Sequence, residues 1–259
     1  MTNTILLSAG QGRRLAPLTD DRPKCLVSIA GKTILEWQLL ALEAAGVEHV
    51  TVVTGFKGET IETAIKVISP SIDVRCLNNP FYSVTDNIGS CWIARELFRD
   101  DTVLINGDTL FDARVLKRVL ADARDPITVT IDSKATYDTD DMKVSTRDGR
   151  LLGISKTLEE DVTGESIGML RFQGEGGARF IDHLTAKLRD PAALKLWYLS
   201  IIDELAKEGG VGVVAINGLP WAEIDFPHDI PIAANKVESF DWPVGQDDEA
   251  AGKPRNRAI

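Results

Sequence analysis

The sequence predicts one α/β domain, a Rossmann-like three-layer arrangement with a mixed, mainly parallel sheet, helices on both faces and a small antiparallel extension. Three observations lead there. Short apolar runs alternate with helix-patterned stretches through the first 125 residues, as they do where parallel strands are joined by crossover helices. The first apolar run ends in a glycine-rich turn, and after Asp125 the texture changes to closely spaced strand-like runs with turn signals. With 259 residues and 44% hydrophobic content, the chain carries enough apolar side chains for one large core.

The elements follow in order. Thr4 to Ala9 is a short apolar run closed by Gly10, as a buried strand is. Thr33 stands three residues before Glu36, the spacing of a capping box, and Gly46 ends the helix that this box starts. Then "HVTVVTG" reads as a strand, "GETIETAIKVI" as a helix, "IDVRCL" as a strand, "IGSCWIARELF" as a helix and "TVLINGD" as a strand. Beyond Asp125, "PITVTID", "DDMKVSTRD", "GRLLGISK" and "GESIGMLRF" are strand-like, with Asp148-Gly149 as a turn signal. Helices are expected over 177–189 and 192–208, and a strand at "VGVVAIN". One domain therefore spans residues 1–240, and residues 241–259 read as a polar, aperiodic, mobile tail.

Composition narrows the function. A net charge of -10 without a long basic stripe argues against duplex nucleic acid, whose binding rests on many lysine and arginine contacts to phosphate. Cys25, Cys76 and Cys91 are odd in number and lack paired spacing, which argues against a disulfide framework and a structural zinc site and fits a reducing cytoplasm. No stretch has the layout of a signal peptide or approaches the ~20 apolar residues of a membrane span, so a soluble protein is expected. His49, His183 and His228 show no ligand spacing and are expected to be structural or exposed.

The opening segment departs from this acidic average. Arg13, Arg14, Arg22 and Lys24 face only Asp20 and Asp21 there, directly behind Gly10 and Gly12, so an anion site is expected. Beyond the carboxyl ends of parallel strands, a glycine-rich turn lets backbone N–H groups approach phosphates. The run Gly10-x-Gly12-x-Arg14-Leu15-x-Pro17-Leu18-Thr19-x-x-x-Pro23-Lys24 resembles the signature of the nucleotidyltransferases that make nucleoside-diphosphate sugars and CDP-alcohols. It is neither a Walker loop nor a dinucleotide fingerprint, because no Gly-Lys-Ser/Thr and no third glycine follow. Ser8 stands where the sugar-activating members usually carry alanine. The stretch "NNPFYSVTDNIGSCWIA", with Asn87 and Ser90 in an Asn-x-x-Ser arrangement, is similar to bacterial phosphocholine cytidylyltransferases.

The resemblance implies a GT-A-like nucleotidyltransferase fold with a nucleotide-binding half over 1–125 and an acceptor-binding half over 126–240. It places Ser8, Ala9, Gly10, Gly12, Arg14, Lys24, Asn87, Ser90 and Asp108 at the nucleotide. Asp108 of "INGDTLF" and Asp225 of "WAEID" would hold one Mg2+. Arg14, Lys24 and Lys156 would act on the transferring phosphates, with Arg13 left facing solvent. Lys156 of "ISK", with Glu165 and Gly168 of "GESIGMLRF", would meet the acceptor. An asparagine amide can read a pyrimidine edge, but it can be turned around and so does not by itself separate cytosine from uracil. An aspartate after a strand glycine also serves as a helix cap, and Asn87 reads equally as the N-cap of the helix after it.

The implied activity is transfer of CMP from CTP to a small phosphorylated alcohol such as phosphocholine, or to an aminoalkyl phosphonate, with release of pyrophosphate. Alternatives are a sugar-1-phosphate nucleotidyltransferase using UTP, dTTP or GTP, and a non-catalytic nucleotide-sensing or scaffold subunit of the same fold. For an ammonium-bearing acceptor, Tyr82, Tyr137, Trp197, Tyr198 and Trp221 are candidates for an aromatic box, helped by Asp138, Asp140 and Asp141. Core packing is the competing reading for each ring.

Overall fold

A computed structural model describes residues 2–99 and 101–241. The tail expected after Asp241 therefore lies outside the described residues.

β1 (Asn3–Leu7) leads into the glycine-rich turn, and a small hairpin of β2 (Ser28–Ile29) and β3 (Lys32–Thr33) precedes α1 (Ile34–Ala44). The N-cap forms as read, with Thr33 Oγ1 accepting the N–H of Glu36 at 3.1 Å, while the Glu36 carboxylate accepts from Lys32 Nζ at 2.8 Å. β4 (His49–Thr54), α2 (Gly58–Ile68), β5 (Asp73–Asn78), α3 (Asn87–Ile93) and β6 (Thr102–Asn106) complete the first run. The predicted helix "IGSCWIARELF" stops early, and its second part is a 3-10 turn over Arg95–Arg99.

Next come β7 (Thr109–Phe111), α4 (Ala113–Asp122), β8 (Ile127–Asp132), β9 (Lys143–Arg147), β10 (Arg150–Ser155) and β11 (Gly164–Phe172). The chain continues through α5 (Gly176–Lys187), α6 (Leu199–Glu208), β12 (Val211–Ala215), β13 (Trp221–Glu223) and α7 (Asp229–Val237). The hairpin of β2 and β3, together with β7, α4, β13 and α7, is not among the elements the sequence predicts. α4 did carry a signal, because Asp112 caps it and Val115, Leu116 and Val119 form its buried stripe.

Nine strands form one sheet in the order β5-β4-β1-β6-β11-β8-β12-β10-β9. β5, β4, β1 and β6 are mutually parallel, and β11 runs against both β6 and β8. The antiparallel extension is not a separate layer. Irregular register in β10 and β11 bends that end, and β9 pairs with both of them, so the sheet curls back on itself.

Alternation along the strands sends neighbouring side chains to opposite faces. Ile5, Val53 and Leu104 join a core under α3, α5 and α6, whereas Leu6, Val52, Val103 and Ile105 join a core under α1 and α4. A third cluster, with Leu15, Ile29, Ile34, Leu110, Ile224 and Val237, packs the hairpin and α7 beneath the glycine-rich turn. No helix among the described residues is long and apolar enough to cross a membrane.

Candidate active site

β4 and β5 lie on one side of β1 and β6 on the other, so the connections diverge between β1 and β6. At such a switch point the loops beyond the strand ends leave a crevice. Here it is a cavity of about 440 Å³ whose lining includes Ser8, Ala9, Gly10, Gly12, Lys24, Asn87, Ser90 and Asp108. Gly107 lets the two loops meet, since a Cβ there would sit 2.4 Å from the Leu7 carbonyl. Gly12 adopts φ +76°, and a Cβ on it would come within 2.7 Å of Lys24 Cβ. Thr19 Oγ1 donates to the Gly12 carbonyl at 2.8 Å and pins the turn, while Leu15 anchors it in the core.

Asp108 follows β6, and Asp225 follows β13. The two meet because β13 pairs antiparallel with β7, Glu223 opposite Thr109, and the Ile224 N–H donates to the Asp108 carbonyl at 3.1 Å. Asp229, at the start of α7, then accepts the N–H groups of Asp225 and Phe226 at 2.8 and 2.7 Å and fixes the turn. The spacing "DFPHD" is thus a pinning device.

Lys24 Nζ bridges the carboxylates, 2.7 Å from Asp108 Oδ2 and 2.6 Å from Asp225 Oδ1. Burial opposes the charge on Lys24, but Asp108 and Asp225 outweigh it and hold the ammonium above the usual lysine range. Burial likewise opposes ionisation of Asp225, and Lys24, Arg14 and Lys156 overcome it and hold this carboxyl below its usual range. Asp108 Oδ1 is buried and has no hydrogen-bond partner. A free carboxylate oxygen beside a second carboxylate, at the rim of an anion cavity, is a donor set that suits a hard divalent cation also coordinated by phosphates and water.

Other placements revise the reading. Arg14 is not among the residues lining the cavity; it lies 2.7 Å from Asp225 and 3.4 Å from Asp140, with its guanidinium 4.8 Å from the centre of the Phe226 ring. Arg13, expected only to face solvent, is exposed and also lines the cavity. Lys156 lies 3.2 Å from Asp140 and 4.6 Å from the centre of the Trp197 ring. Asn87 is not the helix cap: Asp86 caps α3 by accepting the Asn87 N–H at 2.7 Å.

The aromatic box does not form as expected. Tyr198 is fully buried, with its hydroxyl on Asn106 Oδ1 at 3.1 Å. Trp221 is a core residue whose indole N–H donates to Asp132 at 2.8 Å. Both side chains point inward because they sit at core-facing positions of their elements. Tyr82 lines the glycine-rich cavity, and Tyr137 lies with Lys134 5.8 Å from its ring centre. Of the acidic trio, Asp138 Oδ1 accepts the N–H groups of Asp140 and Asp141 and so caps its own turn. Asp141 and the buried Glu165 share Lys134 at 2.8 and 2.9 Å, and burial pushes the Glu165 carboxyl up to about 7 despite that partner.

Glu223 of "WAEID" is a further acid beside this pair: although its residue is exposed, desolvation of its carboxyl, then the charges of Asp108 and Asp225, push it above the usual carboxylate range. The histidines lie outside this site: His49 pairs with Asp73 and His183 with Glu208, while His228 stacks on Phe226.

Residues 4–194 match the MobA-like NTP transferase domain. The chain is 29% identical over 235 residues to CMP-5'-(3-aminopropyl)phosphonate synthase of Streptomyces rubellomurinus, covering 87% of this chain and 37% of that protein. It is 22% identical over 262 residues to CTP:phosphoglutamine cytidylyltransferase of Campylobacter jejuni, covering 90% of this chain and all of the other. The fold matches CTP:phosphocholine cytidylyltransferase from Streptococcus pneumoniae with a TM-score of 0.78 at 20% identity, over 91% of this chain and 99% of that one. The chain thus spans little more than a third of the phosphonate synthase and the full length of the phosphoglutamine enzyme.

Proposed function

The chain belongs to the family of MobA-like NTP transferase domains, and from that premise we propose that it is a Mg2+-dependent cytidylyltransferase. It would move CMP from CTP to a small phosphorylated alcohol or an aminoalkyl phosphonate and release pyrophosphate. The observation that carries this reading is the Lys24 bridge between Asp108 and Asp225, set between the glycine-rich cavity and the cations Arg14 and Lys156. Cytidylyl relatives acting on phosphonate and phosphoglutamine substrates favour CTP over other nucleotides.

An oxygen of the acceptor phosphate or phosphonate attacks the α-phosphorus, and the bond to the β-phosphate breaks in line. The acceptor oxygen is already anionic, so no general base is needed and positioning with charge neutralisation supplies the catalysis. Asp108, through its free Oδ1, and Asp225 would hold Mg2+, which when bound neutralises charge building on the phosphates. Lys24 orients the triphosphate near the α-phosphate, and Arg13 neutralises its far end at the cavity rim. Arg14, which also pairs with Asp225, and Lys156 meet at the exposed Asp140 and draw the acceptor anion into line.

The test is pyrophosphate release with Mg2+, crossing CTP, UTP, dTTP, GTP and ATP with phosphocholine, phosphoethanolamine, 2-aminoethylphosphonate, glucose 1-phosphate and mannose 1-phosphate. Turnover with CTP and an amino-alcohol phosphate or phosphonate is expected. Turnover confined to a sugar phosphate would replace the reading with sugar activation, and silence with every pair would favour a non-catalytic role.

A further inference from the structure

Base recognition on this fold would fall to Asn87 and Ser90, one helical turn apart on α3 and both facing the cavity. Taken alone, an amide or a hydroxyl can either donate or accept. Neither side chain is alone here. The backbone N–H of Tyr198, at the start of α6, donates to Asn87 Oδ1 at 2.8 Å. An N–H can only donate, so the amide oxygen is fixed on that side, and turning the amide over would set two donors against each other. Asn87 is left with its Nδ2 protons to offer.

Ser90 is not set in this way. The amide of the fully buried Asn79, whose Oδ1 accepts the Phe81 N–H at 2.9 Å, donates through Nδ2 to Ser90 Oγ at 3.1 Å. That leaves the hydroxyl its proton and a second lone pair, so Ser90 can donate or accept whereas Asn87 can only donate.

We propose that the Tyr198 N–H is a positioning group for base choice: it holds Asn87 as a donor toward the ring N3, and so selects cytosine over uracil. Cytosine N3 is an acceptor that can take this bond. Uracil carries a proton on N3, which would face a donor and leave one buried group unpaired.

The inference rests on the CTP reading above, and its test separates the two. CTP and UTP are titrated into the full chain with Mg2+ by calorimetry, with no acceptor needed, for wild type, Asn87→Asp and Ser90→Ala. The wild type is expected to bind CTP at least tenfold more tightly than UTP. In Asn87→Asp, one oxygen still accepts from Tyr198 while the other faces the base as an acceptor, so the CTP:UTP ratio is expected to fall to about one or to invert. Ser90→Ala, which removes an adaptable group, is expected to weaken both nucleotides and keep the ratio. If Asn87→Asp weakens CTP and UTP equally and the wild-type ratio persists, the donor lock is overturned while the CTP reading stands. If the wild type binds UTP as tightly as CTP, the CTP reading falls and takes the lock with it.

Discussion

Replacing Lys24 by Met keeps the length of the side chain and removes the charge that holds Asp108 and Asp225 together. The bridge spans 2.7 and 2.6 Å, and at an effective dielectric near 20 each contact is worth roughly 6 kcal/mol before desolvation is subtracted. Desolvation cancels most of that gain. Breaking a buried pair nonetheless leaves uncompensated charge at a cost of about 3–5 kcal/mol, and the partial exposure of these groups puts the expected loss near the lower figure, about 3 kcal/mol. For a domain of this size that corresponds to a fall in Tm of roughly 6–12 °C in chelator. Mg2+ should act differently on the two proteins. In the variant it fills the place of the lost cation, and at about thirty times its dissociation constant it would restore roughly 2 kcal/mol. In the wild type it must displace Lys24 from the carboxylates, so the gain is smaller. Thermal unfolding of both proteins with EDTA and with Mg2+ measures all four values. Equal melting of variant and wild type in EDTA, or an identical Mg2+ increment in both, would refute the assignment of Lys24, Asp108 and Asp225 to one charge cluster.

Asp140→Asn should leave stability within about 0.5 kcal/mol, because its contacts to Arg14 and Lys156 are long and half exposed, and should lower KM for the acceptor several-fold by freeing Lys156 and leaving Arg14 only its Asp225 partner; an unchanged KM would remove Arg14 and Lys156 from acceptor binding. Glu165 gives a pH signature. Its carboxyl is raised from 4.5 to about 7, so between those values the folded chain holds the proton more firmly than the unfolded one, and stability falls as pH rises through that window. Glu165→Gln should flatten that slope by at most about 3 kcal/mol across pH 4.5–7, read from urea titrations, and parallel profiles would contradict the placement. Gly12→Ala forces a side chain into a left-handed turn and against Lys24 Cβ, so a loss of at least about 2 kcal/mol with weaker CTP binding is expected; wild-type CTP affinity would show that the turn can reshape without harm.

The first half of the fold was legible because its signals are local. The Thr33 N-cap, Gly46 and the alternating strands each act within a few residues of themselves. The glycine-rich turn was legible for the same reason, since Gly10, Gly12 and Lys24 lie close in the chain. Distant pairings were the opposite case. Nothing near Asn87 announces that an N–H 111 positions away settles its orientation. Tyr198 and Trp221 looked available to a ligand because ring type says nothing about which way a helix start or a short strand will face. Asp138 and Asp141 read as a site and proved to be a turn that caps itself and holds Lys134. α7 was obscured by Pro231, which weakens a helical pattern although it stands in the first turn, where a missing N–H costs little.

The ladder between β7 and β13 has a bearing on how the protein is made. It joins Thr109 to Glu223, so the two carboxylates cannot meet until almost all of the described chain has been synthesised and the last short strand has docked. The glycine-rich turn, Lys24 and Asp108 all leave the ribosome more than a hundred residues before Asp225 does. A growing chain can therefore settle its first four parallel strands around a phosphate-sized hollow while half of its acid pair is missing. Long-range pairings of this kind form late, so the Asp108–Lys24–Asp225 cluster closes only as the fold is completed.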